Sequence, residues 1–151
     1  MAAVRFTQVQ AREILDLPEE TVRHWRRILS PLAKRPRRTP LSHGDLVALA
    51  AVRQVVQGYA MRVSALAPVA EEIFGFCNSK SWPALRACYL QIMGSSVELK
   101  SVKSAPVLEG GAVILIPLAP IIDELGLGLL GGEHDQSELR FPPTLQYGGK
   151  R

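Results

Sequence analysis

The sequence predicts a mainly α-helical chain with a small β component. Residues 5–60 form an N-terminal helical unit, residues 61–132 a helical and β-hairpin module, and residues 133–151 a polar tail. Three observations carry this expectation. Two Ser/Thr residues, Thr7 and Ser42, stand three positions before Gln10 and Asp45, the spacing at which cap and third helical residue satisfy each other's orphan amides. A proline-rich cationic loop separates the helices that these caps open. Further on, the alternating run Val97 to Val102 and the apolar run Ala112 to Ile116 read as short strands.

Thr7 opens a first helix with Ala11, Ile14 and Leu15 on its apolar face, and the pattern stops at Asp16-Leu17-Pro18. Pro18 suits the first position of a second helix, where its missing amide proton would be unpaired anyway. Glu19 and Glu20 follow in the first turn, favoured by the positive end of the helix dipole. Val22, Trp25 and Ile28 or Leu29 recur at helical spacing and face the core, which leaves Thr21, Arg23, His24, Arg26 and Arg27 on the outer surface. In the next stretch Pro31, Pro36 and Pro40 argue against a helix, and Lys34, Arg35, Arg37 and Arg38 against a core strand, so an exposed loop or small hairpin is expected. The Ser42 cap then starts a helix over Asp45 to Gln57, apolar almost all round and therefore the central packed helix.

Beyond it, Gly58, Pro68, Gly75 and Pro83 interrupt any long helix. Shorter helices near Ser64–Phe76 and Trp82–Ile92 are expected instead. The two strands are read as a hairpin with its loop around Ala105–Gly111. A helix from Leu118 to about Leu125, a glycine-rich stretch to Gly132 and the tail complete the chain.

Charge is the most informative functional signal. The 151-residue chain has a formal net charge of only +4, yet residues 1–40 hold nine Lys/Arg against four Asp/Glu and the remainder nine against ten. Between Thr21 and Pro40 lie seven basic residues and no acid. Three of them sit on a helix and four on the loop that follows it. A helix followed by a cationic loop is an arrangement suited to duplex DNA.

The order Phe6-Thr7, a first helix, Leu17-Pro18, Thr21-Val22-Arg23-His24-Trp25, a basic loop, then Leu41-Ser42-His43-Gly44-Asp45-Leu46 resembles the MerR-type winged helix-turn-helix family. That family carries Tyr-Thr at its start, Thr-Leu-Arg-Tyr-Tyr in the recognition helix and Tyr-Ser-x-x-Asp-Leu after the wing. The resemblance covers roughly residues 5–60. It implies a DNA-binding set of Thr21, Arg23, His24, Arg26 and Arg27 on the recognition helix with Lys34, Arg35, Arg37 and Arg38 on the wing, Trp25 serving as a packing residue. MerR activators continue into a long dimerisation helix, which the interruptions after Gly58 do not allow here. In layout, the C-terminal module is similar to small MerR-like antitoxins and mobile-element regulators.

Other chemistry finds little support. Cys77 and Cys88 are too few for a disulfide framework, and as metal ligands they would need partners, of which His134 is the nearest candidate in sequence. Buried, inert thiols are the simpler reading. Asp123 and Glu124 are neighbours on a helix and point about 100° apart, so they do not face each other as an acid–base pair. The glycines at 126, 128, 131 and 132 lack the Lys-Ser or Lys-Thr of a phosphate loop. Trp82, Tyr89 and Met93 fall at helical spacing, a core stripe. The apolar stretch Ala112–Leu130 contains two prolines and two acids and is not read as a membrane span. No metal, cofactor or enzymatic activity is expected.

The expected function is sequence-specific binding of double-stranded DNA by a cytoplasmic MerR-like transcriptional regulator acting as a homodimer. The alternatives are the DNA-binding antitoxin of a toxin–antitoxin pair, with residues 61–132 holding a toxin, an architectural or recombination-directionality protein, or a module whose arginines meet an acidic protein.

Overall fold

A computed structural model describes residues 4–140, with side chains as far as Leu129. Helices dominate, and the strands make two small antiparallel sheets. Strand β1 (Arg5–Phe6) leads into helix α1 (Gln8–Ile14), which Thr7 caps: its hydroxyl accepts from the Gln10 amide while Gln10 returns a carboxamide oxygen to the Thr7 amide. Asp16 turns the chain in the left-handed region at φ 50°, a conformation that Asp tolerates better than most residues. Helix α2 (Glu19–Ile28) follows, with Pro18 as its cap residue rather than its first helical position. Trp25 and Leu29 are buried against the core.

The prolines do not keep the next segment free of helix. Ser30–Ala33 forms one turn, α3, because Pro31 lies in the first turn, where no amide is required, and it is itself buried. The loop proper runs from Lys34 to Pro40. Strand β2 (Leu41–Ser42) then pairs with β1, Phe6 opposite Leu41 and Arg5 opposite Ser42, which brings both ends of the segment together. Helix α4 (His43–Gly58) has the expected capping box from Ser42 to Asp45 and is buried along most of its length.

The second half corrects several expectations. A 3-10 turn (Val63–Val69) that contains Pro68 precedes helix α5 (Ala70–Asn78). The helix expected over Trp82–Ile92 is only the single turn α6 (Trp82–Leu85), and Cys88–Met93 is strand β3. Cys88 through Ile92 are all buried, so this middle strand lacks the alternation that marks a half-exposed one, and its run, apolar but for Gln91, is indistinguishable by period from a helix. Trp82, Tyr89 and Met93 therefore form no helical stripe. The expected strands exist, as β4 (Ser96–Ser101) and β5 (Val113–Pro117), but they do not pair with each other. The order is β4-β3-β5, with both neighbours antiparallel to β3. The true hairpin is β3–β4, turned through Gly94 at φ 57°.

Helix α7 (Leu118–Arg140) runs on through the glycines where an end was expected, and so enters the segment read as tail. Leu118, Ile121, Ile122 and Leu125 bury one continuous face, and that packing outweighs the low helix propensity of Gly126 and Gly128. Arg53 of α4 ties three helices together, donating to the Leu15 carbonyl at the end of α1 and to Glu124 of α7 at 2.9 Å. One buried cluster extends from Phe6 to Leu125. No helix among the described residues is long and apolar enough to cross a membrane.

Candidate nucleic-acid interface

Helix α1, helix α2 and the Lys34–Pro40 loop enclose an open groove of about 550 Å³. Gln8, Val9 and Arg12 line it from α1, Val22, Arg23, Arg26 and Arg27 from α2, and Ala33 and Arg37 from the turn and loop. Five arginines thus converge on one concavity, with Glu19 the only acid among its walls. Glu19 is shared, accepting from Arg23 at 3.2 Å and pairing with Arg12 at 3.3 Å. Next to it on α2, and sharing Arg23 and Arg27, a smaller hollow is lined by Glu20, Arg23, His24 and Arg27.

The basic residues divide into two groups. Arg35 is turned inward: Nη1 and Nη2 donate to the Asp45 carboxylate at 2.6 and 3.1 Å. Asp45, only 1% exposed, also accepts from the Ser42 amide at 2.9 Å and from Asn78 Nδ2 at 3.0 Å. Desolvation alone would raise the pKa of this carboxyl, but the bonds from Arg35, Ser42 and Asn78 together outweigh it and hold it below its ordinary value. The same pairing raises that of Arg35. Lys34 points to α5, where it and the Ser30 hydroxyl donate to Glu71 at 2.7 and 2.9 Å and lower the pKa of that acid. Arg26 reaches across to the loop, donating through Nη1 to the Arg37 carbonyl at 2.6 Å and through Nη2 to the Pro36 carbonyl at 2.8 Å.

These contacts pin the loop over its first half, by Arg35 on Asp45 and by Arg26 on the Pro36 and Arg37 carbonyls. The carbonyls are neutral, so Arg26 holds the loop while keeping its charge. Arg27, Arg37 and Arg38 are exposed and form no ion pair among the described residues, and His24 is exposed beside Arg23 and Arg27. Thr21 is half-buried on α2.

No family model, curated protein or solved structure matches this chain.

Arg12 and Gln8 are groove residues that the charge pattern did not single out. Arg12 lies outside the acid-free run, cut off from it by Glu13 and Asp16, and only the fold of α1 against α2 brings it to Arg23 and Arg26. Its position one helical turn after Gln8 is the signal that could have placed both on one face.

The cysteines are remote from this surface. Cys77 on α5 and Cys88 on β3 are buried free thiols, and burial, helped by the Asp45 charge, pushes the Cys77 pKa up to about 12. Among the described residues no three His, Cys, Asp or Glu side chains cluster as metal ligands; His134 lies beyond the described side chains. Asp123 pairs with Arg86 at 2.7 Å and Glu124 with Arg53, so both acids are engaged in ion pairs between elements. The groove offers guanidinium donors to an anionic ligand.

Proposed function

We propose that the protein binds double-stranded DNA in a sequence-specific manner as a MerR-like transcriptional regulator, with residues 5–60 acting as a winged helix-turn-helix. The observation that carries this reading is the convergence of Arg12, Arg23, Arg26, Arg27 and Arg37 on one groove beside a pinned cationic loop. Helix α2, ten residues and about 15 Å long, has with its side chains a diameter of about 10 to 12 Å, which matches a major groove about 12 Å wide. Its exposed Arg23, His24 and Arg27 are positioned to meet base edges and phosphates, and the loop to clamp the adjacent backbone through Arg37 and Arg38. Arg35 and Lys34 serve in this reading to hold the loop rather than to touch DNA. The two buried free thiols agree with a reducing cytoplasm.

Selection from a random duplex library, followed by anisotropy titration of the enriched sequence, tests the proposal. The purified protein enriches one consensus, and the double substitution of Arg37 and Arg38 by Ala weakens binding to every duplex roughly tenfold. Replacing Arg23 or His24 changes which sequence is preferred. Failure to bind any duplex at low salt overturns the proposal.

A further inference from the structure

The three-stranded sheet has two edges, and they are treated differently. The β4 edge is guarded. The Val97 amide donates outward to the Glu72 carboxylate of α5 at 2.9 Å, and the strand carries Glu98 and Lys100, which pair at 3.2 Å. A capped amide and charged side chains are the usual protections against strand addition. The β5 edge has neither, and its one guard is Pro117 at the strand's end. Val113-Ile114-Leu115-Ile116-Pro117 holds no charge, pairs only with β3, and leaves Leu115 at its centre 44% exposed. On an edge strand every second residue turns its amide and carbonyl away from the sheet, so this edge offers hydrogen-bonding groups with no partner strand among the described residues.

We propose that β5 is a dimerisation edge whose occupant is the β5 strand of a second copy of this chain, paired antiparallel about a two-fold axis at Leu115. The strand is complementary to itself in that register. Leu115 meets the partner's Leu115, Ile114 meets the partner's Ile116, and Val113 meets the partner's Pro117, apolar against apolar throughout. The faces also match. Ile114 and Ile116 stand opposite Ile92 and Leu90 on the core side of the sheet, so the join continues the apolar layer from one protomer into the next. Pro117, with no amide proton, falls at the end of the ladder, where least is lost. The assembly closes at two, because pairing consumes both open edges and leaves only the capped β4 edges outward.

The test uses the full chain. Sedimentation velocity from about 1 to about 100 μM gives a species of twice the monomer mass at the upper end. Leu115→Lys places a charge on the edge at a position open enough to keep it hydrated, and yields a monomer with an unchanged far-ultraviolet spectrum. Leu115→Cys gives an independent readout: residues directly opposite across an antiparallel pair have Cα atoms about 4.5 to 5.5 Å apart, within disulfide reach. Mild oxidation therefore produces a covalent dimer, whereas Val9→Cys, exposed on α1, does not cross-link. A monomer at all concentrations, a dimer that Leu115→Lys leaves intact, or a Leu115→Cys protein that fails to cross-link overturns the proposal. So does a monomer that dimerises only after removal of residues 141–151, since the edge would then belong to the chain's own C-terminus.

Discussion

Replacing Arg35 by Ala removes both guanidinium bonds from a carboxylate that is 1% exposed, and leaves Asp45 with the Ser42 amide and Asn78 as its remaining donors. Deleting one member of a buried ion pair costs about 3 to 5 kcal/mol, chiefly because the other charge is stranded. Two donors survive, and Arg35 is itself 30% exposed, so that water enters when it is removed; the lower end, about 3 kcal/mol at pH 7, is expected. For a chain of this size that lowers Tm by roughly 6 to 12 °C. Asp45→Asn strands the more exposed partner and costs about 2 kcal/mol. The double variant is less damaged than the two losses added together, by about 2 kcal/mol, because neither charge is then left alone. Urea unfolding of the four proteins, followed by circular dichroism at pH 7, measures the cycle. The Arg35→Ala penalty also shrinks towards pH 4, as the stranded carboxyl takes up a proton. A loss below about 1 kcal/mol for Arg35→Ala, with additive double-variant behaviour, refutes the inward assignment of this arginine.

Gly44→Ala destabilises the fold by roughly 2 kcal/mol, since a Cβ there would lie within 2.6 Å of the Cys77 carbonyl oxygen, which is backbone and cannot turn aside; thermal melts check it. Acid also destabilises. The folded pKa of Asp45 lies below its usual 3.8, so on acidification the unfolded chain takes up the proton first; the contribution is intact above about pH 4 and is lost as pH falls through the folded value, which urea midpoints against pH record. Cys77 is inert to thiol reagents in the native protein, its pKa being pushed to about 12, and reacts only on unfolding, as a colorimetric thiol assay with and without denaturant will register.

The N-terminal elements were legible because local chemistry dictates them. Thr7 and Ser42 announce helix starts through bonds that span three residues, and no distant contact is needed to form them. Pro31 misled because a proline excludes helix interiors and not first turns. In the second half the deciding contacts are distant ones. Cys88–Met93 is a strand because β4 and β5 flank it, and burial on both faces erased its alternation. The Gly126–Gly128 segment stays helical because Leu125 and its predecessors dock on the core. The basic patch was legible as charge but not as geometry. Nothing in the run from Arg23 to Arg38 tells that Arg35 meets Asp45, that Arg26 grips loop carbonyls, or that Arg12 joins from α1.

That division of the arginines is what a salt titration of duplex binding measures. Each neutralised phosphate contributes about −0.9 to the slope of log affinity against log salt, so Arg27, Arg37 and Arg38, together with Arg26, whose charge the loop carbonyls leave unpaired, give roughly −4, with more if Arg12 and Arg23 leave Glu19. Comparing wild type with Arg37→Ala and Arg35→Ala, under conditions where both variants are folded, tests the account most directly. Arg37→Ala flattens the slope by about one unit and Arg35→Ala leaves it unchanged. No measurable duplex binding, or equal flattening by the two substitutions, contradicts it.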